Sequence, residues 1–589
     1  MSIAKKDVGV ILYKKYASFR VWAPFARSVD VIGTFNDWQK TPLDSEADGY
    51  WCTKIEGVRA GQEYKFVIGT GKAELTKNDP RARQVTTSDG NSVVVDNSFT
   101  WGDSDFMLLP RQQQVIYELH VGTFNRDDPS TVGNFAGVID KLDYLTSLGI
   151  TTIELMPVFS MMMDYGWGYA PDYLYAVESL YGGRAGLMEL VNAAHQRGIS
   201  VVLDVVYNHF GPDKDYDLWR FDGWHKDSGG GIYFYNDWRG HTPWGDTRPD
   251  YGRTEVRQFI LDNVKLWLNE YHIDGLRIDS TGYMRNTEGN NDDPEHDIPE
   301  AWSLLGDINK LAGRIKPDSL MIAEDFSGND YITKPALDGG AGFDSQWEIT
   351  FPGVLRDCLD ATSDTDRNLN TVASSLTANY NNNAFQRVVY SDSHDSAANG
   401  SARLNEQISP GHPDSLYARK RSILAAAIVL TAPGIPMLLQ GQEFMQGGSF
   451  NDWQELDWRQ AERLPGIVLS YSHLIALRKN EYGNTAGLTG QSIAIKHLNN
   501  DDKVLAYHRY GNGGPGDDVM IIINFANKSF KDYLVDFPKT GLWRVRYCSD
   551  WKGYSPDFKD DITADVLVES SNGLLNLAPY TAVILSQDK

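Results

Sequence analysis

The sequence predicts a multidomain α/β protein: a (β/α)8 TIM barrel with an N-terminal β-sandwich and a C-terminal β-sandwich. Three observations carry this. Apolar, partly β-branched runs alternate with helical spacings through the middle of the chain, the pattern of a parallel sheet wrapped by helices. Period-two alternation between turn residues marks both ends. Four of the central runs finish in acidic side chains, and barrel enzymes put their chemistry at the C-terminal ends of their strands. The chain has 589 residues, more than one ordinary core accommodates, so several domains are expected.

Residues 1–100 read as all-β. The runs Phe19-Arg20-Val21-Trp22, Val29-Asp30-Val31-Ile32 and Tyr64-Lys65-Phe66-Val67-Ile68 are separated by the turn pairs Asn36-Asp37, Asp48-Gly49 and Ala60-Gly61. They suggest a small sandwich. The polar stretch from Lys77-Asn78-Asp79-Pro80 onward reads as a connector.

Residues 101–485 read as the barrel. Val115-Ile116-Tyr117-Glu118-Leu119 is the first strand. Val138, Ile139, Leu142, Leu145 and Leu148 then recur at one helical spacing, closed by Gly149. The strand 152–156 is next, then a helix over 187–197 stopped by Gly198, then the strand 199–206. Further strands are expected at 275–278, 320–323, 345–348, 387–391 and 435–439, giving eight βα repeats. An insertion at 210–252 holds Trp219, Trp224, Tyr233, Tyr235, Trp238 and Trp244. A loop of that length inside a compact domain is usually functional, so these aromatics are expected to line the substrate path. Residues 486–589 return to the all-β pattern, with Val504-Leu505-Ala506-Tyr507-His508 and Trp543-Arg544-Val545 among the strands.

The formal net charge of −24 repels phosphate backbones, which argues against nucleic acid and for a neutral substrate. No run approaches the roughly 20 apolar residues of a membrane helix. The apolar stretch in MSIAKKDVGVILYKKY is too short for a secretory leader, so a soluble, cytoplasmic protein is expected. Cys52, Cys358 and Cys548 form neither a zinc spacing nor a disulfide framework. Sixteen Trp and thirty Tyr supply flat faces of the kind on which sugar rings stack.

The acidic segments are Asp204-Val205-Val206-Tyr207-Asn208-His209, Gly275-Leu276-Arg277-Ile278-Asp279, Ile322-Ala323-Glu324-Asp325 and Ser393-His394-Asp395. Unpaired buried carboxylates cost several kcal/mol, so four such strand ends are poorly explained as packing. Several carboxylates, one Arg, several His and flanking aromatics suit glycosidic bond cleavage. A retaining mechanism needs a carboxylate nucleophile and a carboxylic acid about 5–5.5 Å apart. The acid needs a raised pKa.

In that order the four segments resemble the α-amylase family, glycoside hydrolase family 13, and the resemblance covers the whole chain. It implies that Asp279 is the nucleophile, Glu324 the general acid/base and Asp395 the third carboxylate, which grips substrate hydroxyls. It implies that Arg277 keeps Asp279 ionised and that His209 and His394 donate to hydroxyls at the cleavage subsite. Tyr169, in Trp167-Gly168-Tyr169-Ala170-Pro171, matches the family's stacking aromatic. Asp204 and Asn208 support the site, with Asp204 counted among the substrate-binding positions. Asp325 faces away from Glu324 and is structural. No cofactor is expected. Calcium occurs in the family, but Ala170 stands where Asn is common and no EF-hand-like oxygen cluster is present.

The expected partner is an α-glucan: starch, glycogen or maltooligosaccharides. Ala323-Glu324-Asp325-Phe326-Ser327-Gly328, Ser391-Asp392-Ser393-His394-Asp395 and Val21-Trp22-Ala23-Pro24 resemble 1,4-α-glucan branching enzymes, the leading expectation. Ser280-Thr281-Gly282-Tyr283 stands where many amylases carry a Lys and a His. The alternatives are an α-1,4-glucan hydrolase and a maltooligosyltrehalose trehalohydrolase. The last resembles Tyr117-Glu118-Leu119-His120-Val121-Gly122, Asp204 to Pro212, and Gly342-Phe343-Asp344-Ser345-Gln346-Trp347. An inactive glycan-binding barrel is the reading from another class.

Overall fold

The computed structural model describes residues 7–126, 128, 130–211, 216–561 and 563–589. Residues 1–6, part of the stretch read for a leader, lie outside the described residues, as does Pro212. At the centre eight strands close into a barrel in chain order. They are β1 (Ile116–Leu119), β2 (Thr152–Leu155), β3 (Ser200–Val205), β4 (Gly275–Ile278), β5 (Leu320–Ala323), β6 (Ser345–Trp347), β7 (Arg387–Val389) and β8 (Ile435–Leu439). Every neighbouring pair is parallel, and β8 returns to β1. All eight strands are buried, which explains why they read as short apolar runs.

Side chains alternate across each strand. Ile116, Val202, Leu320, Ile322, Val388, Ile435 and Met437 share one interior cluster. Two residues beyond Val202 on the same face comes Asp204, and the β3–β4 register sets it beside Arg277. Glycine is required at the start of β4: a Cβ on Gly275 would lie 2.0 Å from the Leu320 carbonyl oxygen.

Helices cover the barrel. Gly183–His195 turns Leu187, Leu190, Val191 and Ala194 inward, at helical spacing. Thr254–Asn269, Pro299–Ile315, Thr350–Asp360, Leu416–Thr431 and Pro465–Arg478 do the same after later strands. Two crossovers differ from the expected repeat. The single helix read over 138–148 is two, Phe135–Ile139 and Leu142–Leu148. The Asn134 side chain caps the first by accepting from Gly137 N–H. Between β5 and β6 the described residues form only short 3₁₀ turns, Asp330–Ile332 and Ala336–Asp338, in a stretch interrupted by Pro335, Gly339, Gly340 and Gly342. Proline and consecutive glycines deny a continuous helix.

The N-terminal region is two facing antiparallel sheets, one built on Tyr16–Trp22 with Tyr50–Glu56 and the other on Ser28–Gly33 with Glu63–Gly69. Phe19, Val21, Val29, Val31, Tyr64, Phe66 and Ile68 fill the space between them. The predicted connector is not a solvated linker. Asn78 and Asp79 are buried; Asn78 Nδ2 donates to Tyr173 Oη at 2.8 Å, and Tyr64 Oη donates to Asp79 Oδ2 at 2.9 Å. These bonds satisfy the polar groups and clamp the sandwich to the barrel. The C-terminal region is a six-stranded antiparallel sheet that includes Val504–Tyr510 and Val519–Asn524, with a two-stranded sheet beside it. It rests on two barrel helices, where Tyr507 pairs with Thr431 and Tyr547 with Ser470. Among the described residues no helix is long and apolar enough to cross a membrane.

Much of the aromatic insertion is interface, not substrate path. Tyr233 packs edge-on against Trp22, and Trp224 stacks on Phe25 at 4.7 Å between ring centres. Trp219, Tyr233 and Tyr235 are buried. Burying such rings between two domains yields more than exposing them to bind, so the composition of the loop reflects domain docking. Trp238 is 58 % exposed and Trp244 42 %.

Candidate active site

The four acidic segments meet at the C-terminal mouth of the barrel. Asp204 lies near the end of β3, Arg277 within β4, Asp279 just beyond β4, Glu324 just beyond β5, and His394 and Asp395 in the loop after β7. Arg277 holds Asp204, Asp279 and Glu324 together and is itself fully buried. Its Nη1 donates to Asp204 Oδ2 at 2.7 Å and to Asp279 Oδ1 at 2.9 Å, and its Nη2 lies 2.8 Å from Glu324 Oε1. Its guanidinium also sits 4.4 Å from the Trp347 ring centre. A planar, permanently charged fork suits this task, whereas Lys offers only a point charge.

Asp279 has a second anchor. Asn208 Nδ2 donates to Asp279 Oδ2 at 2.5 Å, which turns Asn208 Oδ1 toward His209 Nδ1 at 2.6 Å. That oxygen can only accept, so Nδ1 of His209 carries a proton. His209 stacks on Trp244 at 5.0 Å, and burial pushes its pKa down to about 4. It is neutral at physiological pH.

Glu324 is buried, and its Oε2 accepts from Ser280 N–H at 2.9 Å. Ser280 holds φ +44°, a left-handed conformation costly for a non-glycine residue. The turn that places Asp279 thus also aims an N–H at Glu324. Burial, with the nearby charges of Asp279 and Asp395, pushes Glu324 up to about 8 against the opposing pull of Arg277. Burial likewise lifts Asp204 to about 6. Tyr169 donates to Asp204 Oδ2 at 2.6 Å and stacks on His394 at 5.1 Å.

The His394 backbone N–H donates to Glu118 Oε2 at 3.0 Å, and its Nδ1 lies 2.5 Å from Glu118 Oε1. Its Nε2 is 3.6 Å from Asp395 Oδ1. Burial alone would lower the pKa of His394, but Asp395 and Glu118 outweigh it and raise it to about 9. Asp395 is the most open member of the set, with 42 % of its side chain exposed.

All nine predicted site residues therefore share one cluster. Asp325, beside Glu324, is buried and bound at both oxygens by Arg285, at 2.8 and 2.9 Å. Sequence reasoning missed Glu118, Glu154 and Trp347. Glu118 and Glu154 are register partners on β1 and β2. Burial and the neighbouring Glu118 push Glu154 well above the usual carboxylate range. An acidic residue midway in an apolar strand was the available signal. Among the described residues no group of three or more His, Cys, Asp or Glu side chains is placed to hold a metal ion.

A closed barrel with three carboxyl groups on one buried guanidinium at its mouth fits a class of glycoside-cleaving enzymes. Family models agree. The alpha amylase catalytic domain matches residues 118–228 and 246–462. Carbohydrate-binding module 48, the isoamylase N-terminal domain, matches 8–82, and the alpha amylase C-terminal all-beta domain matches 495–588. The chain belongs to the alpha-amylase family and is a glycosidase or transglycosidase. It is 31 % identical over 565 residues to the 1,4-alpha-glucan branching enzyme GlgB of Corynebacterium jeikeium, covering 92 % of this chain and 77 % of that protein. It is 30 % identical over 572 residues to GlgB of Aquifex aeolicus, covering 92 % and 88 %. A Paenibacillus barengoltzii pullulanase solved with maltohexaose and alpha-cyclodextrin superimposes with a TM-score of 0.79 at 21 % identity, covering 100 % of this chain and 96 % of that one. An Anoxybacillus pullulanase solved with maltotetraose gives 0.77 at 21 %, covering 99 % and 87 %. At that identity the likeness is one of fold.

Proposed function

We propose that this chain is a 1,4-α-glucan branching enzyme. It cleaves an α-1,4 bond through a covalent glycosyl-enzyme and passes the released chain to a 6-hydroxyl of another glucan. The observation that carries the chemistry is the Arg277 guanidinium shared by Asp279 and Glu324. Asp279 takes two donors on its carboxyl oxygens, Arg277 and Asn208, while Glu324, buried beside it, keeps its proton to about pH 8. Environments that drive two carboxyl groups apart mark an acid and a nucleophile.

In this reading the Asp279 carboxylate attacks C1 of the glucose at the cleavage subsite as Glu324 protonates the departing O4. The C1–O4 bond breaks and a glycosyl ester forms on Asp279. Esterification removes the Asp279 charge, one of the anions that hold the Glu324 proton, whereas the Arg277 cation remains. Glu324 thereby becomes a base fit to take the proton of the incoming 6-hydroxyl. Two inversions give retention. His394, cationic at neutral pH, donates to a substrate hydroxyl; Asp395 accepts from neighbouring hydroxyls; Tyr169 stacks on the ring. Asp204 and Asn208 hold Arg277 and Asp279 in place.

Transfer is preferred over hydrolysis because the likeness to branching enzymes runs over about nine-tenths of the chain. The test uses long linear amylose with the purified protein. Loss of iodine colour, a new α-1,6 proton signal and few new reducing ends are expected. Matching growth of reducing ends without that signal would make it a hydrolase.

A further inference from the structure

We infer that Trp453 and Tyr165 form a stacking platform for the donor arm of the glucan, several sugar units from the scissile bond. Trp453, in the loop after β8, is 73 % exposed, unusual for so large an apolar side chain. It is not loose. Asn451 Oδ1 accepts from the backbone N–H groups of Trp453, at 3.0 Å, and Gln454, at 2.8 Å. The Trp453 ring meets the Tyr165 ring at 5.0 Å between centres and 63° between planes. Tyr165 is fixed in turn, its hydroxyl accepting from Arg126 Nη2 at 3.0 Å.

Both loops are tied to the catalytic cluster. Phe450, three residues before Trp453, is buried and lies 5.5 Å from the Trp167 ring and 6.3 Å from His394. The Gly166 carbonyl, next to Tyr165, accepts from Tyr181 Oη at 3.2 Å, and three residues further Tyr169 stacks on His394. The platform therefore stands at a set distance from the cleavage position. The arrangement is two rings from two loops, meeting in an L at the rim of the barrel.

The order of the barrel gives the direction. The proton donor must stand beside the leaving oxygen, so the departing arm lies on the β5 side, where Glu324 sits. The loops bearing Tyr165 and Trp453 follow β2 and β8, which lie one barrel neighbour from β1 by way of the closed order, on the side away from β5. The platform thus faces the arm that stays on the enzyme. Rings suit the C–H faces of glucose. Burial, against the pull of Arg126 and with the charge of nearby Asp452, raises Tyr165 to about 12; the Asp452 carboxylate is placed to accept from sugar hydroxyls and to repel anions. A neutral polyhydroxyl chain is the ligand these groups fit. The direction, donor rather than acceptor, rests on the proposed role of Glu324; the platform's binding of glucan does not.

The test measures maltose and maltoheptaose binding to the full chain carrying Asp279→Asn, with and without Trp453→Ala. Loss of one stacked ring should weaken maltoheptaose roughly tenfold, and Trp453→Phe should recover affinity to within about threefold. Maltose should change less than about twofold, because a two-unit chain seated at the cleavage position does not reach the platform. The ring is exposed, so thermal stability should not move. Unchanged maltoheptaose affinity, equal loss for both sugars, or no measurable maltoheptaose binding before Trp453 is changed would each overturn the proposal. None of these bears on the roles of Asp279 and Glu324, which stand or fall on turnover.

Discussion

Replacing Glu118 by Gln changes one charge in a fully buried pair and leaves its shape intact. Glu118 Oε1 lies 2.5 Å from His394 Nδ1. A hydrogen bond to a charged group contributes about 1.5–3 kcal/mol, and one pKa unit is about 1.36 kcal/mol. Losing the charge should therefore lower the His394 pKa by roughly 1–2 units. The midpoint should move from about 9 to between 7 and 8. Asp395 remains and prevents a larger fall. The assay is an imidazole NMR titration, with the His394 signal assigned by His394→Gln. The sign carries into stability: a histidine raised above its ordinary 6.5 stabilises the fold below that pH, and the contribution is lost as pH rises through about 9. The thermal midpoints of the native chain and Glu118→Gln should differ most near pH 6 and converge above pH 9. A His394 midpoint within 0.3 unit of the native value would refute the claim that Glu118 holds this cation.

Five further outcomes follow from the structure. Asp279→Asn and Glu324→Gln should each lower turnover by at least about three orders of magnitude; a loss below tenfold at either position would remove its assignment. In the proposed mechanism Glu324 enters protonated, so kcat/KM should fall as pH rises through about 8, and that limb should vanish in Glu324→Gln. Trp224→Ala should cost about 1–2 kcal/mol of thermal stability by losing its stack on Phe25, with KM unchanged. Trp244→Ala should instead raise KM, since Trp244 packs on His209 beside Asp279. Arg285→Ala should destabilise by about 3–5 kcal/mol by stranding buried Asp325, seen in urea unfolding of the barrel.

The barrel strands and the site were legible for one reason. Parallel strands buried on both faces leave short apolar runs, and a carboxylate at the end of such a run stands out: Asp204, Asp279 and Glu324 each do. What stayed hidden depends on tertiary partners. Asn78 and Asp79 read as a solvated connector because nothing local reveals Tyr64 and Tyr173 as their partners. Trp224 and Trp244 share one aromatic loop, yet one faces the N-terminal sandwich and the other His209, and loop composition does not encode direction. The break at Asp140-Lys141 interrupts an apolar period that continues across it, so periodicity alone joins the two helices. Glu118 was masked by its strand, because one polar residue among Ile116, Tyr117 and Leu119 leaves the run apolar.

In the proposed mechanism Asp279, held on the Arg277 fork, is the nucleophile that bonds C1 of the sugar. The most direct test is to expose Glu324→Gln protein to an activated α-maltosyl fluoride, whose leaving group needs no acid, and to map the digested protein by mass. One added maltosyl unit is expected on the peptide containing Asp279, accumulating because the base that releases it is gone. An adduct on another residue, or turnover of the fluoride with inversion and no adduct, would contradict this mechanism.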